Sequence, residues 1–153
     1  MIKIMFVCHG NICRSPMAEF ILKDIVNEKG LQDDFVICSS ATSTEEIWNG
    51  VGNPVYPPVR AVLESHGINP AGKRAVQLQK SDYDKYDLFI GMDSANIRNM
   101  KHIFGGDNKG KIHKLTEYTD STADISDPWY TRDFDKCYSD IHKGCVALLN
   151  TLI

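Results

Sequence analysis

Apolar residues recur along this chain in two rhythms. Residues 2–7 form a nearly unbroken apolar run, interrupted only by Lys3, as expected of a strand buried on both faces. Met17, Phe20, Ile21, Ile25 and Val26 then recur at helical spacing and predict a first helix that fades near Gly30. Residues 35–38 predict a second short strand. Residues 59–66 read as a helix closed by Gly67. Residues 87–92 predict a third buried strand, after which Asp93 or Ser94 caps a helix with Ile97, Met100 and Phe104 on one face. Residues 111–115 predict a fourth strand. Asp133 opens a last helix whose Phe134, Cys137, Ile141, Cys145, Leu148 and Leu152 form one stripe.

Between these elements lie two long polar stretches, residues 39–58 and 116–130, both longer than ordinary connections and therefore candidates for function. Strands alternating with helices imply right-handed crossovers and a parallel sheet. The expected fold is a single three-layer α/β domain spanning residues 1–153, with a four-stranded parallel sheet flanked by helices on both faces. Such sheets bind ligands beyond the carboxyl ends of their strands.

Composition narrows the function classes. The chain of 153 residues is 42% hydrophobic and 24% charged, an ordinary globular balance. With a net charge of −3, a general affinity for nucleic acid or anionic membrane is not expected. No apolar run approaches the ~20 residues needed to span a bilayer. Lys3 inside the first run, and the lack of a small-residue cleavage site after it, argue against a signal peptide. The five cysteines, Cys8, Cys13, Cys38, Cys137 and Cys145, are odd in number and have no regular spacing, which fits a reducing cytoplasm rather than a disulfide scaffold. No metal-ligand spacing is present, and no cofactor is expected.

The richest chemistry follows the first strand, in Cys8-His9-Gly10-Asn11-Ile12-Cys13-Arg14-Ser15, with Pro16 at the first helical turn. A helix start offers unpaired N–H groups and partial positive charge, which attract anions. Five residues separate Cys8 from Arg14, enough to curl the loop amides around one tetrahedral oxyanion. Cys8 then lies beneath that anion, and the Arg14 fork binds its oxygens. The same field favours the nucleophilic thiolate. Gly10 and Asn11 supply unusual backbone angles. The residues alone thus predict a phosphate-binding loop, after the first strand, with a nucleophile at its floor.

A thiolate that expels an alkoxide or phenolate needs a proton donor. Asp127, in Ser126-Asp127-Pro128-Trp129-Tyr130, is the candidate, held extended by Pro128. Trp129 and Tyr130 would then wall the pocket. On its own, this segment reads as well as an Asp-Pro turn with two aromatics tucked into the core.

The run from Val7 to Glu19 resembles the signature of the low-molecular-weight protein tyrosine phosphatases, and the long loop from Thr42 to Pro57 is similar to that of their bacterial members. Asp127-Pro128-Trp129-Tyr130 resembles their second signature. The likeness covers nearly the whole chain, including Arg60-Ala61 and His66-Gly67-Ile68. It implies that Cys8 forms a phosphocysteine intermediate, that Arg14 stabilises the transition state, and that Asp127 is the general acid and then the base. It implies that Ser15 hydrogen-bonds the thiolate and that Asn11 holds the loop in shape, with Ser39 and His66 in support. It also implies that Cys13 can form a disulfide with Cys8 and so protect it from further oxidation. The phosphate-binding set is therefore expected to comprise His9, Gly10, Asn11, Ile12, Cys13, Ser15, Trp48, Trp129 and Tyr130. The expected partners are phosphotyrosine proteins or small phosphate monoesters, with weak self-association left open.

Several positions depart from that family. His9 stands where leucine is frequent, either as a titrating charge at the rim or as an exposed polar residue. Cys38-Ser39-Ser40-Ala41 replaces a frequent Asp-Ser-Gly-Ala. Trp48 lies in a longer loop, as a pocket wall or as a pin holding that loop to the surface. His102, His113 and His142 read as surface residues, Cys137 and Cys145 as core, and Tyr83 and Tyr86 as part of a solvated helix start. Two other chemistries would use a similar loop. A thiol-linked arsenate reductase needs further relay cysteines, and none lies between Cys38 and Cys137. A phosphocysteine carrier has no use for Arg14 and Asp127 together.

Overall fold

A computed structural model describes residues 1–153. Strand β1 (Ile2–Cys8) leads through a tight loop into helix α1 (Arg14–Glu28), followed by β2 (Phe35–Ala41). A small hairpin, β3 (Ile47–Trp48) and β4 (Val51–Gly52), precedes α2 (Pro57–Ser65). Next come β5 (Leu88–Gly91), α3 (Ser94–Phe104), β6 (Ile112–Lys114), the four-residue α4 (Pro128–Thr131) and α5 (Phe134–Leu152). The main sheet has the order β2-β1-β5-β6, and every pairing in it is parallel. The chain moves outward from β1 to β2, then crosses back to the other side of β1 to make β5. That reversal opens a crevice at the carboxyl end of β1, where Cys8 stands.

The first strand is apolar throughout because both of its faces are covered. Ile4, Phe6 and Cys8 join the core beneath α1, α2 and α5. Met5 and Val7 face the other way, packing with Phe89, Met100 and Phe104 on the α3 side. The α5 stripe is buried as expected at Cys137, Ile141, Cys145 and Leu148, while Phe134 and Leu152 are only partly covered. Helix α3 begins with the Asp93 carboxylate accepting from the Asn96 N–H, and ends at Gly105 in the left-handed region.

Two boundaries differ from expectation. The second strand runs to Ala41 rather than residue 38, because its ladder with β1 continues to the Cys8–Ala41 pair. Ser39 and Ser40 are polar, yet they are buried at the sheet end. Helix α1 starts at Arg14, two residues before Pro16. Pro16 remains in the first turn, where an N–H has no intrahelical partner. The stretch 39–58 is tied down rather than loose. Thr42 and Ser43 donate to the Cys8 and His9 carbonyls, and Pro54 bridges to Arg74.

Candidate active site

Asn11 carries the bend of the loop between β1 and α1. Its φ is 61°, a left-handed conformation that asparagine tolerates better than most residues. Its buried carboxamide then fills three roles. Nδ2 donates to Ser15 Oγ at 2.8 Å and to Ser39 Oγ at 2.9 Å, while Oδ1 accepts from the Val76 N–H at 3.1 Å. Ser39 Oγ in turn donates to Glu19 Oε1 at 2.5 Å. Glu19 is 5% exposed but is not left uncompensated, since Lys23 Nζ donates to it at 2.5 Å and Lys73 Nζ lies 3.9 Å away. Lys73 also donates to the Ser39 carbonyl at 3.1 Å. Burial pulls the Lys73 amine below its usual pKa, against the opposing influence of Glu19.

At the floor of the loop, Cys8 Sγ lies 3.0 Å from Ser15 Oγ and 3.4 Å from the Ser15 N–H. Because Ser15 Oγ already accepts from Asn11, its hydroxyl proton is available to the sulfur. Arg14 is 3% exposed. Its Nη1 donates to Asp93 Oδ2 and to the Ile125 carbonyl, each at 2.8 Å, and Nη2 lies 3.6 Å from Asp127 Oδ2. Burial opposes the guanidinium charge, but Cys8, Asp93 and Asp127 outweigh it and hold its pKa above the ordinary value. Asp127 has extended backbone before Pro128, and its Oδ1 accepts from the Trp129 N–H at 3.0 Å.

These groups surround a cavity of about 150 Å³. Cys8, Gly10, Ile12, Cys13 and Arg14 form its floor, with His9, Glu45, Glu46, Asp127, Trp129 and Tyr130 around the sides and mouth. His9 Nε2 lies 3.0 Å from Glu45 Oε2 at the rim, and both side chains are more than half exposed. Burial pushes the Cys13 thiol far above its usual pKa, with Cys8 adding to the effect, so Cys13 is a neutral thiol near pH 7. Among the core cysteines, burial carries Cys137 up to about 12.

The structure brings together most of the expected site and corrects four assignments. Trp48 does not line the cavity; it is 79% exposed in the β3–β4 hairpin. His66 does not support the loop. It caps the end of α2 and stacks on Tyr138 at 3.9 Å, and the supporting cation behind the loop is Lys73. Gly10 has no positive φ. Its lack of a side chain instead admits Glu46, whose Cγ would lie 3.2 Å from an added Cβ. Asn11 and Ser15 sit behind the cavity wall, holding the loop and the sulfur, rather than among its lining residues. Sequence reading also missed Glu19, Lys73, Glu45 and Glu46, and took Asp93 for a helix cap alone. Its one available signal for Asp93 was the position just past a buried strand, at the same sheet edge as Cys8.

A family model described as low molecular weight phosphotyrosine protein phosphatase matches residues 3–153. The chain belongs to this family. It is 36% identical to the low molecular weight protein-tyrosine-phosphatase YfkJ of Bacillus subtilis over 99% of this chain and 96% of that one. The crystal structure of YfkJ superposes with a TM-score of 0.93 at 37% identity, covering 99% and 94% of the two chains. A low molecular weight protein tyrosine phosphatase from Streptococcus pyogenes matches at 39% identity, with a TM-score of 0.87, over 100% and 94%. A drosophila arginine phosphatase shares the fold at 26% identity and a TM-score of 0.86, over 99% and 98%. The family fold is the one described above, a four-stranded parallel sheet with helices on both sides and the loop after its first strand.

Proposed function

We propose that this chain hydrolyses phosphotyrosine and small aryl phosphate monoesters through a phosphocysteine intermediate. The observation that carries this reading is the convergence, around one cavity, of Cys8 Sγ under the Ser15 donors, the buried Arg14 fork and the Asp127 carboxyl. Cys8 attacks phosphorus as the thiolate, forming the S–P bond while the P–O bond to the aryl group breaks. Asp127 gives its proton to the departing oxygen. Arg14, held by Asp93 and Ile125, and the loop N–H groups take up the charge on the three phosphoryl oxygens. A water molecule then attacks the phosphocysteine. Asp127, now a carboxylate, takes its proton, and the S–P bond breaks to release phosphate and the thiolate. Ser15 keeps that thiolate a good leaving group.

Phosphotyrosine is favoured over phosphoarginine by the aromatic edge of the cavity. Trp129 and Tyr130 stand beside Asp127, and Tyr56 packs on Trp129 with ring centroids 4.9 Å apart, a wall suited to a flat ring. The test is hydrolysis of p-nitrophenyl phosphate in the presence of EDTA by the wild type and by Cys8→Ser. Wild-type turnover and a loss of at least about 10³-fold in Cys8→Ser are expected. Activity that survives the substitution would overturn the reading. Phosphotyrosine and phosphoarginine offered in parallel decide the substrate.

A further inference from the structure

The segment carrying Asp127 has little regular structure, so what fixes the acid must be found in its bonds to the scaffold. Asp127 itself has a local bond to the Trp129 N–H and a long approach to Arg14. Downstream, the Tyr56 ring steadies Trp129. Upstream, the fixed contacts concentrate on four consecutive residues. Lys114 Nζ, at the end of β6, donates to the Thr122 carbonyl at 3.1 Å, and Thr116 Oγ1 donates to the Ala123 carbonyl at 2.8 Å. Asp124 Oδ1 accepts from Lys114 Nζ at 2.8 Å, from the Ser94 N–H at 3.0 Å and from Ser94 Oγ at 3.1 Å. The Ile125 N–H donates to the Met92 carbonyl at 2.9 Å, its carbonyl takes the Arg14 proton, and its side chain is buried.

We infer that Lys114 and Asp124 are positioning residues for the chemistry at Asp127. They fasten the segment to the first turn of α3 and the end of β6, and so set where Asp127, three residues beyond Asp124, faces the leaving group, while Ile125 keeps its own anchors in the Met92 carbonyl and its buried side chain. Both ends of this fastening lie at the carboxyl ends of β5 and β6, where Asp93 also stands, so acid and guanidinium share one frame. Lys114 pulls the Asp124 carboxyl below its usual pKa, as expected of a carboxylate held in an ion pair. Neither Lys114 nor Asp124 bonds to Arg14, whose partners are Asp93 and the Ile125 carbonyl, so Arg14 is expected to stay in place when the fastening is broken. The anion site therefore survives, and proton donation is what suffers.

This inference rests on Asp127 being the proton donor, so Asp127→Ala accompanies the test. Phenyl phosphate, a poor leaving group, depends on protonation more than p-nitrophenyl phosphate does. Asp124→Ala and Lys114→Met are expected to lower kcat on phenyl phosphate about tenfold and on p-nitrophenyl phosphate less than about twofold, with inhibition by inorganic phosphate unchanged. Lys114→Arg, which keeps the cation, is expected to restore the phenyl phosphate rate. Asp127→Ala should show the same selectivity more strongly. If Asp127→Ala is selective while Asp124→Ala and Lys114→Met slow both substrates equally, or neither, the fastening has no positioning role. If Asp127→Ala is itself unselective, the acid assignment fails and this inference fails with it.

Discussion

Asn11 illustrates how one side chain can fix a reactive loop. It accepts a left-handed backbone and spends both ends of its carboxamide on Ser15, Ser39 and the Val76 N–H. Alanine there would keep the strained φ without any of those bonds, and would leave buried hydroxyls short of a donor. Asn11→Ala is expected to cost about 2–4 kcal/mol of stability, read by urea unfolding. It should also lower kcat on p-nitrophenyl phosphate by about tenfold or more, because Ser15 loses the partner that turns its proton toward Cys8. An unchanged kcat would separate Asn11 from the sulfur. Cys8, Arg14 and Asp127, which the structure gathers around one cavity, stood out as candidates in the sequence because their chemistry is distinctive and their local context is short. Lys73 and Glu19 did not. A buried ion pair against the back of a loop looks, in one dimension, like two surface charges, and its members meet only when α1 and the segment carrying Lys73 come together beside the end of β2. The same blindness placed His66, a plausible polar residue, where Lys73 belongs.

At the scale of elements, α5 packs closely on the turn that follows β6. A Cβ built on Gly144 would lie 2.5 Å from Leu115 Cγ, and Leu115 is fully buried in the turn that follows β6. Alanine would ordinarily favour a helix, but here the gain of roughly 1 kcal/mol in propensity meets a steric clash. Gly144→Ala is expected to lower stability by about 1–3 kcal/mol, measured as the urea midpoint, with little change in KM. A stabilised variant would mean that Leu115 can move aside freely. Element positions were legible wherever hydrophobic rhythm was strong, as in β1, α3 and α5. The β3–β4 hairpin was not, because its apolar residues are few and its registration depends on bonds to the 73–77 segment, among them Arg74 Nη1 to the Gly52 carbonyl. Trp48 belongs to this hairpin, where Ile47 is partly covered and Trp48 is exposed.

Across the whole molecule, burial of several thiols ties stability to alkaline pH. Cys137 is raised from 9.0 to about 12, and Cys13 and Cys145 are raised further, in each case mainly by burial. Below pH 9 both folded and unfolded chains hold these protons, so their contribution is intact. As pH climbs above 9 the unfolded chain loses them first, and the folded state is progressively disfavoured, by up to about 1.4 kcal/mol per pH unit for each thiol. Lys73, lowered from 10.5, works in the opposite direction but is a single group. The urea midpoint is therefore expected to be level from pH 7 to 8 and to fall from about pH 9 upward. A midpoint that stays level to pH 11 would show that these thiols ionise within the fold.

The sequence by itself determined the fold class and the order of the four sheet strands and the longer helices, and it singled out Cys8, Arg14 and Asp127 as candidates, because periodicity, capping and a compact motif are local properties that need no partner. Only the tertiary structure decided which neighbours serve that trio. The crossing from β2 back to β5 brings Asp93 and Ile125 to Arg14, and carries Lys73 to Glu19 of α1 behind Asn11. It also turns Trp48 and His66 away. Those choices depend on distances between segments remote in the chain, and these exist only once the sheet has closed around them.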